Sequence, residues 1–271
     1  MLTVQNLSYK CNNKLILNNI SLDLGTGVYG LLGPNGSGKT TLLRCIAGVL
    51  SPQTGEIAKP HNIGYLPQAF GMFPELTVYE ALEYFATLKG IPTKYRQEFI
   101  NQSIEYVDLC ARKNDRIRTL SGGMVRRLGI AQAVLGDPDL ILVDEPTTGL
   151  DPEERIRFQN LIVKLRNDKT VIISTHLVDD VEFLCNHIIL LKQGKVVCQE
   201  SAAELRDFAI GKVFSVPSDA KKYLTSPYYI TKEEMVNGTV LLRVLSSVEQ
   251  LGQLTSPTLE DGYVLRINEK Q

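Results

Sequence analysis

The chain has 271 residues, of which 44% are hydrophobic, and its 29 basic and 30 acidic side chains leave a formal net charge of -1. This length and apolar content allow a sizeable core, in one large domain or in one domain with an appendage. The balanced charge, without a long basic run, argues against nucleic acid as a partner.

The sequence also disfavours disulfide-bonded, zinc-binding, secreted and membrane-spanning proteins. The five cysteines are scattered, odd in number and without a C-x-x-C pair, which argues against a disulfide framework or a zinc site and fits a reducing compartment. The apolar runs are only strand-sized, and the opening MLTVQNLSYK lacks the charged start and apolar block of a secretory signal. We therefore expect a soluble chain that meets a membrane only through a partner.

The first elements predict two kinds of strand pairing, an antiparallel hairpin and a parallel sheet. Polar and apolar residues alternate over residues 2–24 around an Asn-Asn pair, which predicts an antiparallel hairpin. GVYGLLG then predicts a short strand that leads through a glycine-rich turn into a helix. The runs DLILVDEP and KTVIISTH predict further strands, buried on both faces in a parallel sheet covered by helices.

Helices are expected between and after these strands. Residues 73 to about 136 are predicted to be mainly helical, with Thr77 and Glu80 as a capping box ahead of an apolar face that includes Leu82 and Phe85. Another helix is expected from Pro152 onward, capped by Asp151. The pattern changes after about residue 208.

The remaining residues predict a small α+β appendage. Strands are expected in GKVFSVP, YYITKEE, GTVLLRVLSS and GYVLRIN, separated by Ser, Pro and Gly. The predicted fold class is therefore α/β, with this appendage at the C-terminal end. We expect a main domain over residues 1–208, with a helical subdomain at about 73–136, and an accessory domain over residues 209–271.

A phosphate-binding loop is predicted between the first parallel strand and its helix. The segment GPNGSGKT fits the pattern G-x-x-x-x-G-K-[ST], in which converging backbone N–H groups and the following helix hold phosphates. Lys39 supplies a charge for the outer phosphates and the Thr40 hydroxyl a magnesium ligand. The loop residues are Gly33, Pro34, Asn35, Gly36, Ser37, Gly38, Lys39 and Thr40.

Three further side chains follow buried strands. Asp144 ends its strand where it can hold magnesium through water, and Glu145 lies at the mouth of the site, where it can polarise an attacking water. His176 ends the next strand, at the same sheet edge, and can bond a phosphate or that water. The competing interpretations are an ordinary acidic turn and a structural histidine, which we also assign to His61 and His187.

A second anion-binding feature is predicted at LSGGMVRR. Ser121 is a good N-cap, and the glycine pair Gly122–Gly123 leaves bare N–H groups at the start of the helix. Arg126 and Arg127 are expected on the solvated face of this helix rather than among ligands.

Together these residues resemble the nucleotide-binding subunit of ABC transporters, over roughly residues 2–208. Gly33 to Thr41 resembles the phosphate loop, LSGGM the signature motif with Met124 in place of Gln, and LILVDEP the Walker B strand. By this resemblance Gln68 is the Q-loop glutamine that touches magnesium, Glu145 the base and His176 the switch histidine. Asp151 lies in the D-loop and also caps its helix, whereas Tyr9 is either the aromatic that stacks on adenine or an ordinary strand residue.

The resemblance implies ATP and Mg²⁺ as ligands and a head-to-tail dimer, in which Ser121, Gly122 and Gly123 of one chain complete the ATP site of the other. It implies an ATPase on the cytoplasmic face of the cell membrane, bound to an integral-membrane permease. The segment after Gln68 and the sequence SPTLEDGYVLRI are similar to exporter subunits of the ABC-2 kind. The alternative is a soluble ABC ATPase that serves a non-transport assembly, such as iron–sulfur cluster assembly.

Overall fold

The computed structural model describes residues 1–165 and 168–269, which form two compact units, Met1–Cys198 and Gln199–Gln271. Within the described residues, no helix is long and apolar enough to cross a membrane. The predicted sites all belong to the first unit.

The first unit begins with the predicted hairpin. Strands β1 (Leu2–Cys11) and β2 (Lys14–Leu24) pair antiparallel, and β4 (Thr54–Ala58) pairs with the other edge of β1. The turn residues Asn12 and Asn13 have φ of 48° and 64°, a left-handed conformation that asparagine tolerates better than most residues. The local sequence is therefore sufficient to predict this hairpin.

A second sheet has six strands in the order β5-β6-β7-β3-β8-β9. The neighbours from β5 to β8 run parallel, so their carboxyl ends share one edge. The strands are β3 (Gly27–Leu32), β5 (Ile63–Leu66), β6 (Leu140–Asp144), β7 (Thr170–Thr175), β8 (His187–Lys192) and β9 (Lys195–Ser201). All residues of β6 and β7 are buried, as their continuous apolar sequences predict.

Six α-helices of this unit are described. They are α1 (Lys39–Ala47), α2 (Val78–Leu88), α3 (Thr93–Tyr106), α4 (Gly122–Val134), α5 (Pro152–Lys164) and α6 (Val178–Leu184). The predicted capping box of α2 is present, with Glu80 N–H donating to Thr77 Oγ1 over 3.2 Å. Asp151 caps α5 as predicted, its carboxylate accepting from the Glu154 N–H at 2.9 Å.

The two sheets and α1 share one apolar core. Leu7 and Leu17 of the hairpin, Leu31 of β3 and Leu43 of α1 are each fully buried in the same cluster. Burying one such side chain typically stabilises a fold by about 1.5–3 kcal/mol. This packing fixes the start of α1 against the end of β3, and the loop that joins them is therefore held from both sides.

The second unit contains a four-stranded sheet in the order β11-β12-β10-β13, with helices α7 (Ala202–Asp207) and α8 (Leu259–Asn268). Its strands are β10 (Val213–Pro217), β11 (Tyr229–Val236), β12 (Thr239–Leu245) and β13 (Gln253–Leu254). The expected α+β appendage is present, but the predicted strand at GYVLRIN is wrong, because residues 262–268 continue α8. The Thr258 side chain and Asp261 form a capping box that starts this helix.

Candidate functional site

A cleft lies at the carboxyl edge of the parallel sheet. Its volume is about 630 Å³. The register that pairs Leu32 with Thr175 and Asp144 with Ser174 brings the ends of β3, β6 and β7 side by side. The lining residues are Lys14, Ile16, Asn35, Gly36, Ser37, Gly38, Lys39, Thr40, Thr41, Gln68, Glu145, Thr148 and His176.

The predicted phosphate loop forms one wall of the cleft. Gly36 and Gly38 have φ of 78° and 108°, which only glycine adopts without strain, and a Cβ on Gly33 would lie 2.2 Å from the Leu191 carbonyl oxygen. These glycines let the chain turn tightly into α1. The first N–H groups of α1 have no intrahelical acceptor and suit an anion.

Lys39 extends back along this loop. Its Nζ donates to the Gly33 carbonyl oxygen at 2.7 Å and lies 3.6 Å from Glu145 Oε1, with the side chain 6% exposed. Burial lowers the pKa of the Lys39 ammonium, and the facing Glu145 carboxylate offsets part of that effect. The loop therefore holds a buried cation beside a carboxylate at the floor of the cleft.

Asp144 is fully buried below Thr40. Its Oδ1 accepts from Thr40 Oγ1 at 3.1 Å and from Ser174 Oγ at 2.5 Å. Among the described residues, Asp144 Oδ2 and the buried Ser37 Oγ have no hydrogen-bond partner. Oxygen atoms of this kind are what Mg²⁺ prefers, so the residues fit that ion.

Glu145 has a backbone conformation uncommon for its type, with φ of 47°. Its N–H donates to the Ser174 carbonyl oxygen at 3.1 Å and to Ser174 Oγ at 3.0 Å. Its Oε2 is 2.8 Å from His176 Nδ1 and accepts from Thr148 Oγ1 at 3.2 Å. The strained backbone thus aims the carboxylate into the cleft, where Lys39 and His176 flank it.

The structure brings Gln68 to this cleft but not Tyr9. Gln68 lies among the lining residues, distant from the phosphate loop in sequence but on the same sheet edge. Tyr9 lies on β1, partly buried against the core and paired with Leu17. Lys14 and Ile16 of β2 line the cleft on the side of the hairpin instead.

The second predicted anion-binding feature belongs to a separate pocket of about 590 Å³. Ser121 caps α4, with its Oγ accepting from the Met124 N–H at 3.2 Å. Gly122, Gly123 and Asp151 line the same pocket, and Thr148 borders both this pocket and the cleft. The two predicted anion-binding features of one chain therefore line different pockets.

The expectation that Arg126 and Arg127 lie on a solvated face is wrong. Arg127 is 9% exposed and donates to the Val107 carbonyl oxygen at 3.2 Å. Arg126 donates to the carbonyl oxygens of Gln68, Glu145 and Pro146. The acceptors of both arginines are distant in sequence. The local pattern therefore could not predict that the two side chains are bonded inside the protein.

Sequence reasoning also missed Ser174 and Thr148, which hold the acidic residues in place. Ser174 lies two positions before His176 on β7 and pairs with Asp144, so it shares a sheet edge with that carboxylate. The signal that could have found it is a polar residue directly after the apolar run VII of a buried parallel strand.

Comparisons with known proteins agree with this geometry. The sequence profile named ABC transporter matches residues 17–148. The Nod factor export ATP-binding protein I of Cupriavidus metallidurans is 34% identical over 78% of this chain and 74% of its own length.

The chain belongs to the ABC transporter family.

Other family members differ in length. ABC transporter A family member 8 of Dictyostelium discoideum is 38% identical over 78% of this chain, which spans 27% of that relative. A dimeric ATP-binding cassette, solved in a post-hydrolysis state with ADP and Pi, superposes with a TM-score of 0.65 at 28% identity, over 74% of this chain and 98% of its own. A Clostridium perfringens protein, part of an ABC transporter complex, superposes with a TM-score of 0.66 at 27% identity. The match covers 75% of this chain and 89% of that protein.

These matches confirm the predicted fold and the predicted class of enzyme. The chain is an ATP-binding cassette of the ABC ATPase type, with exporter-type relatives.

Proposed function

We propose that this ATPase powers a separately encoded membrane permease, as an exporter subunit, and that it works as a head-to-tail dimer on the cytoplasmic face of the membrane. The observation that carries the proposal is the presence of two anion-binding features that face separate spaces in one chain. A single nucleotide cannot occupy both, whereas two chains related by a two-fold axis can share each nucleotide between them. The exporter assignment is supported by the relatives named for Nod factor export.

In this dimer each ATP lies between Gly33–Thr41 of one chain and Ser121–Gly123 of the other. Asp151 lies beside the second feature and contacts the opposite chain. Ile16 packs on the adenine in the place that the resemblance gave to Tyr9, since Ile16 lines the cleft and Tyr9 does not. Thr148 borders both spaces, so the two nucleotide sites are close to one another in the dimer.

Magnesium fits the polar end of the cleft. Thr40, Asp144 and Gln68 are the residues that would hold it, Asp144 through its unpaired Oδ2. When bound, Mg²⁺ neutralises negative charge on the terminal phosphates of ATP. Lys39 supplies a second positive charge at the same phosphates. To bind them, its ammonium group gives up its hydrogen bonds to the carbonyl oxygens of the loop.

Hydrolysis is assigned to Glu145 and His176. The Glu145 carboxylate accepts a proton from the water that attacks the outer phosphorus atom, and the bond from that atom to the bridging oxygen breaks. His176 Nδ1, 2.8 Å from Glu145 Oε2, fixes the direction of this carboxylate. Thr148 Oγ1 restrains the same oxygen atom from the other side.

Replacement of Glu145 by glutamine tests this chemistry. Glu145→Gln retains the shape of the cleft and removes the base, so ATP binding should persist while turnover falls by on the order of 10²–10⁴-fold. Glu153→Gln is the matched control, since Glu153 is an exposed carboxylate at the start of α5. Full turnover in Glu145→Gln, measured as phosphate release, would show that Glu145 is not the base.

The permease contact is assigned to the segment after Gln68. Phe73 is 55% exposed and packs edge-on against Tyr84, which is 43% exposed, with ring centroids 5.5 Å apart. Leu88, 64% exposed, lies one turn further along α2. Such neighbouring exposed apolar side chains suit a partner helix.

A charge on this surface should release the protein from membranes. We expect Phe73→Asp to lower the membrane-bound fraction in cells that express the native partner, while basal ATPase activity persists. Tyr95→Asp, on an exposed aromatic of α3, is the control. If the unaltered protein is not found with membranes in those cells, the transporter assignment fails and the soluble assembly ATPase replaces it.

The domain division belongs to the same proposal. We assign the ATPase to residues 1–208 and an accessory role to residues 209–271, which contain none of the site residues. The two compact units divide earlier, between Cys198 and Gln199, which places α7 with the second unit.

A further inference from the structure

The guanidinium of Arg126 joins three segments of the cassette. Its Nε donates to the Pro146 carbonyl oxygen at 2.8 Å, its Nη1 to that of Gln68 at 3.0 Å and its Nη2 to that of Glu145 at 2.9 Å. All three guanidinium nitrogens are therefore used, and each acceptor is a backbone carbonyl. The partners lie in the segment after β5 that contains Gln68, here called the Q-loop, and just after β6, whereas Arg126 lies on α4.

These bonds hold a strained part of the backbone. Glu145 has φ of 47°, and its N–H is bonded to Ser174 of β7. Arg126 holds the carbonyl group of the same residue, so the Glu145 peptide units are fixed on both sides. A strained conformation of this kind persists only where the surroundings impose it.

Packing adds a second connection between α4 and the Q-loop. A Cβ on Gly129 would lie 2.7 Å from Leu66 Cδ1 and 2.9 Å from Phe70 Cδ1. Glycine at this position thus lets α4 approach the strand end and the loop that carry Gln68. The N-terminal end of the same helix carries Ser121 and the glycine pair.

We propose that Arg126 is a positioning residue that fixes the backbone of Glu145 and Gln68 to α4, so that hydrolysis in a chain's own cleft depends on where its own α4 lies. The inference rests on the proposed catalytic role of Glu145. Ser121–Gly123 meets the nucleotide held by the partner chain in the proposed dimer. Movement of α4 on that contact would therefore be transmitted to the base and to Gln68 of its own chain.

The chemistry of the side chain supports this role over that of a ligand. A phosphate ligand would direct its donors at the anion, whereas each guanidinium nitrogen of Arg126 already donates one N–H to a neutral carbonyl group, although the residue also lines the pocket that contains Ser121. A planar guanidinium fixes the directions of its three acceptors in one plane, whereas the ammonium group of a lysine rotates about its flexible side chain. The arrangement therefore specifies a geometry rather than a charge at the reacting atoms.

The test compares Arg126→Gln and Arg126→Lys with a matched control, Lys89→Met. Lys89 also donates to three backbone carbonyls of the α4 region, those of Gln132, Ala133 and Leu135, but at the opposite end of the helix. For each full-length variant, kcat, KM and the binding of ATP are measured below its melting transition. ATP-dependent dimerisation is measured by size-exclusion chromatography in a Glu145→Gln background.

We expect Arg126→Gln to lower kcat by about 10- to 100-fold, as small misplacements of a catalytic group do. ATP affinity should stay within about twofold, because Arg126 touches no residue of the phosphate loop, and dimerisation should persist. Arg126→Lys should recover part of kcat, and Lys89→Met should keep it. This pattern supports positioning, since a purely structural role would affect both ends of α4 alike.

Two results would overturn the inference. Arg126→Gln with the kcat of the unaltered protein would show that the three bonds do not position the base. An equal loss of kcat in Arg126→Gln and Lys89→Met would show that any anchor of α4 has the same effect. Failure of the unaltered protein to dimerise with ATP would instead refute the proposed dimer, while the kcat comparison would still decide whether Arg126 positions Glu145.

Discussion

Lys89 gives the fold a measurable dependence on pH. It ends α2 and donates to the carbonyl oxygens of Gln132 at 2.9 Å, Ala133 at 3.4 Å and Leu135 at 2.9 Å. These groups end α4, where a cation is favoured by the helix dipole. Burial nevertheless lowers the pKa of the Lys89 ammonium to about 8 from its usual 10.5.

The sign of the effect follows from proton binding. Below a pH of about 8 Lys89 is charged in both the folded and the unfolded chain. The free energy of unfolding is then lowered by the full cost of burying the charge. Between about 8 and 10.5 the unfolded chain binds more protons, so the free energy of unfolding rises with pH. At about 1.4 kcal/mol per pKa unit, an interval of roughly 2.5 units gives at most about 3.4 kcal/mol. Solvent access to part of the side chain reduces this, and we expect about 2 kcal/mol.

Lys89→Met isolates this contribution, because methionine does not titrate while every other group is shared. The free energy of unfolding of both proteins is measured by urea denaturation, followed by circular dichroism, from neutral pH to pH 10.5. We expect the difference between them to shift in favour of the unaltered protein by about 2 kcal/mol, mostly above pH 8. A difference that stays constant over this range, or that shifts toward the methionine variant, would refute the reasoning.

Three other predictions concern the site and the second unit. Lys39→Ala should weaken ATP binding, whereas Ser121→Arg should weaken only dimerisation, so a mixture of the two variants should recover some ATP-dependent dimer. If the two variants lose ATP binding by the isolated monomer equally, Ser121 does not belong to the site of the opposite chain. Ser174→Ala removes bonds to Asp144 and Glu145 and should cost about 1–3 kcal/mol of unfolding free energy, together with much of kcat; unchanged kcat would show that Ser174 does not position these residues. Asp261→Ala removes the buried carboxylate that pairs with the partly exposed Arg243 and should lower stability by about 1.5–3 kcal/mol in thermal melts, while ATP binding is spared. Loss of ATP binding in the folded variant would contradict this.

The parts of the fold that local sequence determines are predictable. The Asn-Asn turn, the glycines around Lys39 and the capping box of α2 each need only a few neighbouring residues. Continuous apolar sequences indicate parallel strands, and the shared carboxyl edge of such strands is sufficient to place Asp144 and His176 together. The resemblance to ABC subunits adds Gln68, which no local pattern would have assigned to this cleft.

The wrong predictions arise where two local sequence signals compete, or where the hydrogen-bond partner of a residue is distant in sequence. GYVLRIN has the alternation of a strand, but the preceding Thr-Leu-Glu-Asp forms a capping box, and Asp261 is also held by Arg243. The helix therefore prevails, with Leu259 and Leu265 buried on its inner face. For Arg126 the acceptors lie 19, 20 and 58 positions away, beyond the reach of any local pattern.

The contacts of α4 explain why a helix with two glycines at its start can serve as a rigid connection. Glycine weakens a helix by about 1 kcal/mol per position, so the stability of α4 must come from its surroundings. Arg126 binds three carbonyls near its beginning, and Lys89 binds three at its end. Gly129 brings its middle into contact with Leu66 and Phe70. The part of α4 between Ser121 and Gly129 is therefore held independently of the Lys89 end, so that a displacement at Ser121 reaches the Glu145 carbonyl instead of being absorbed by bending.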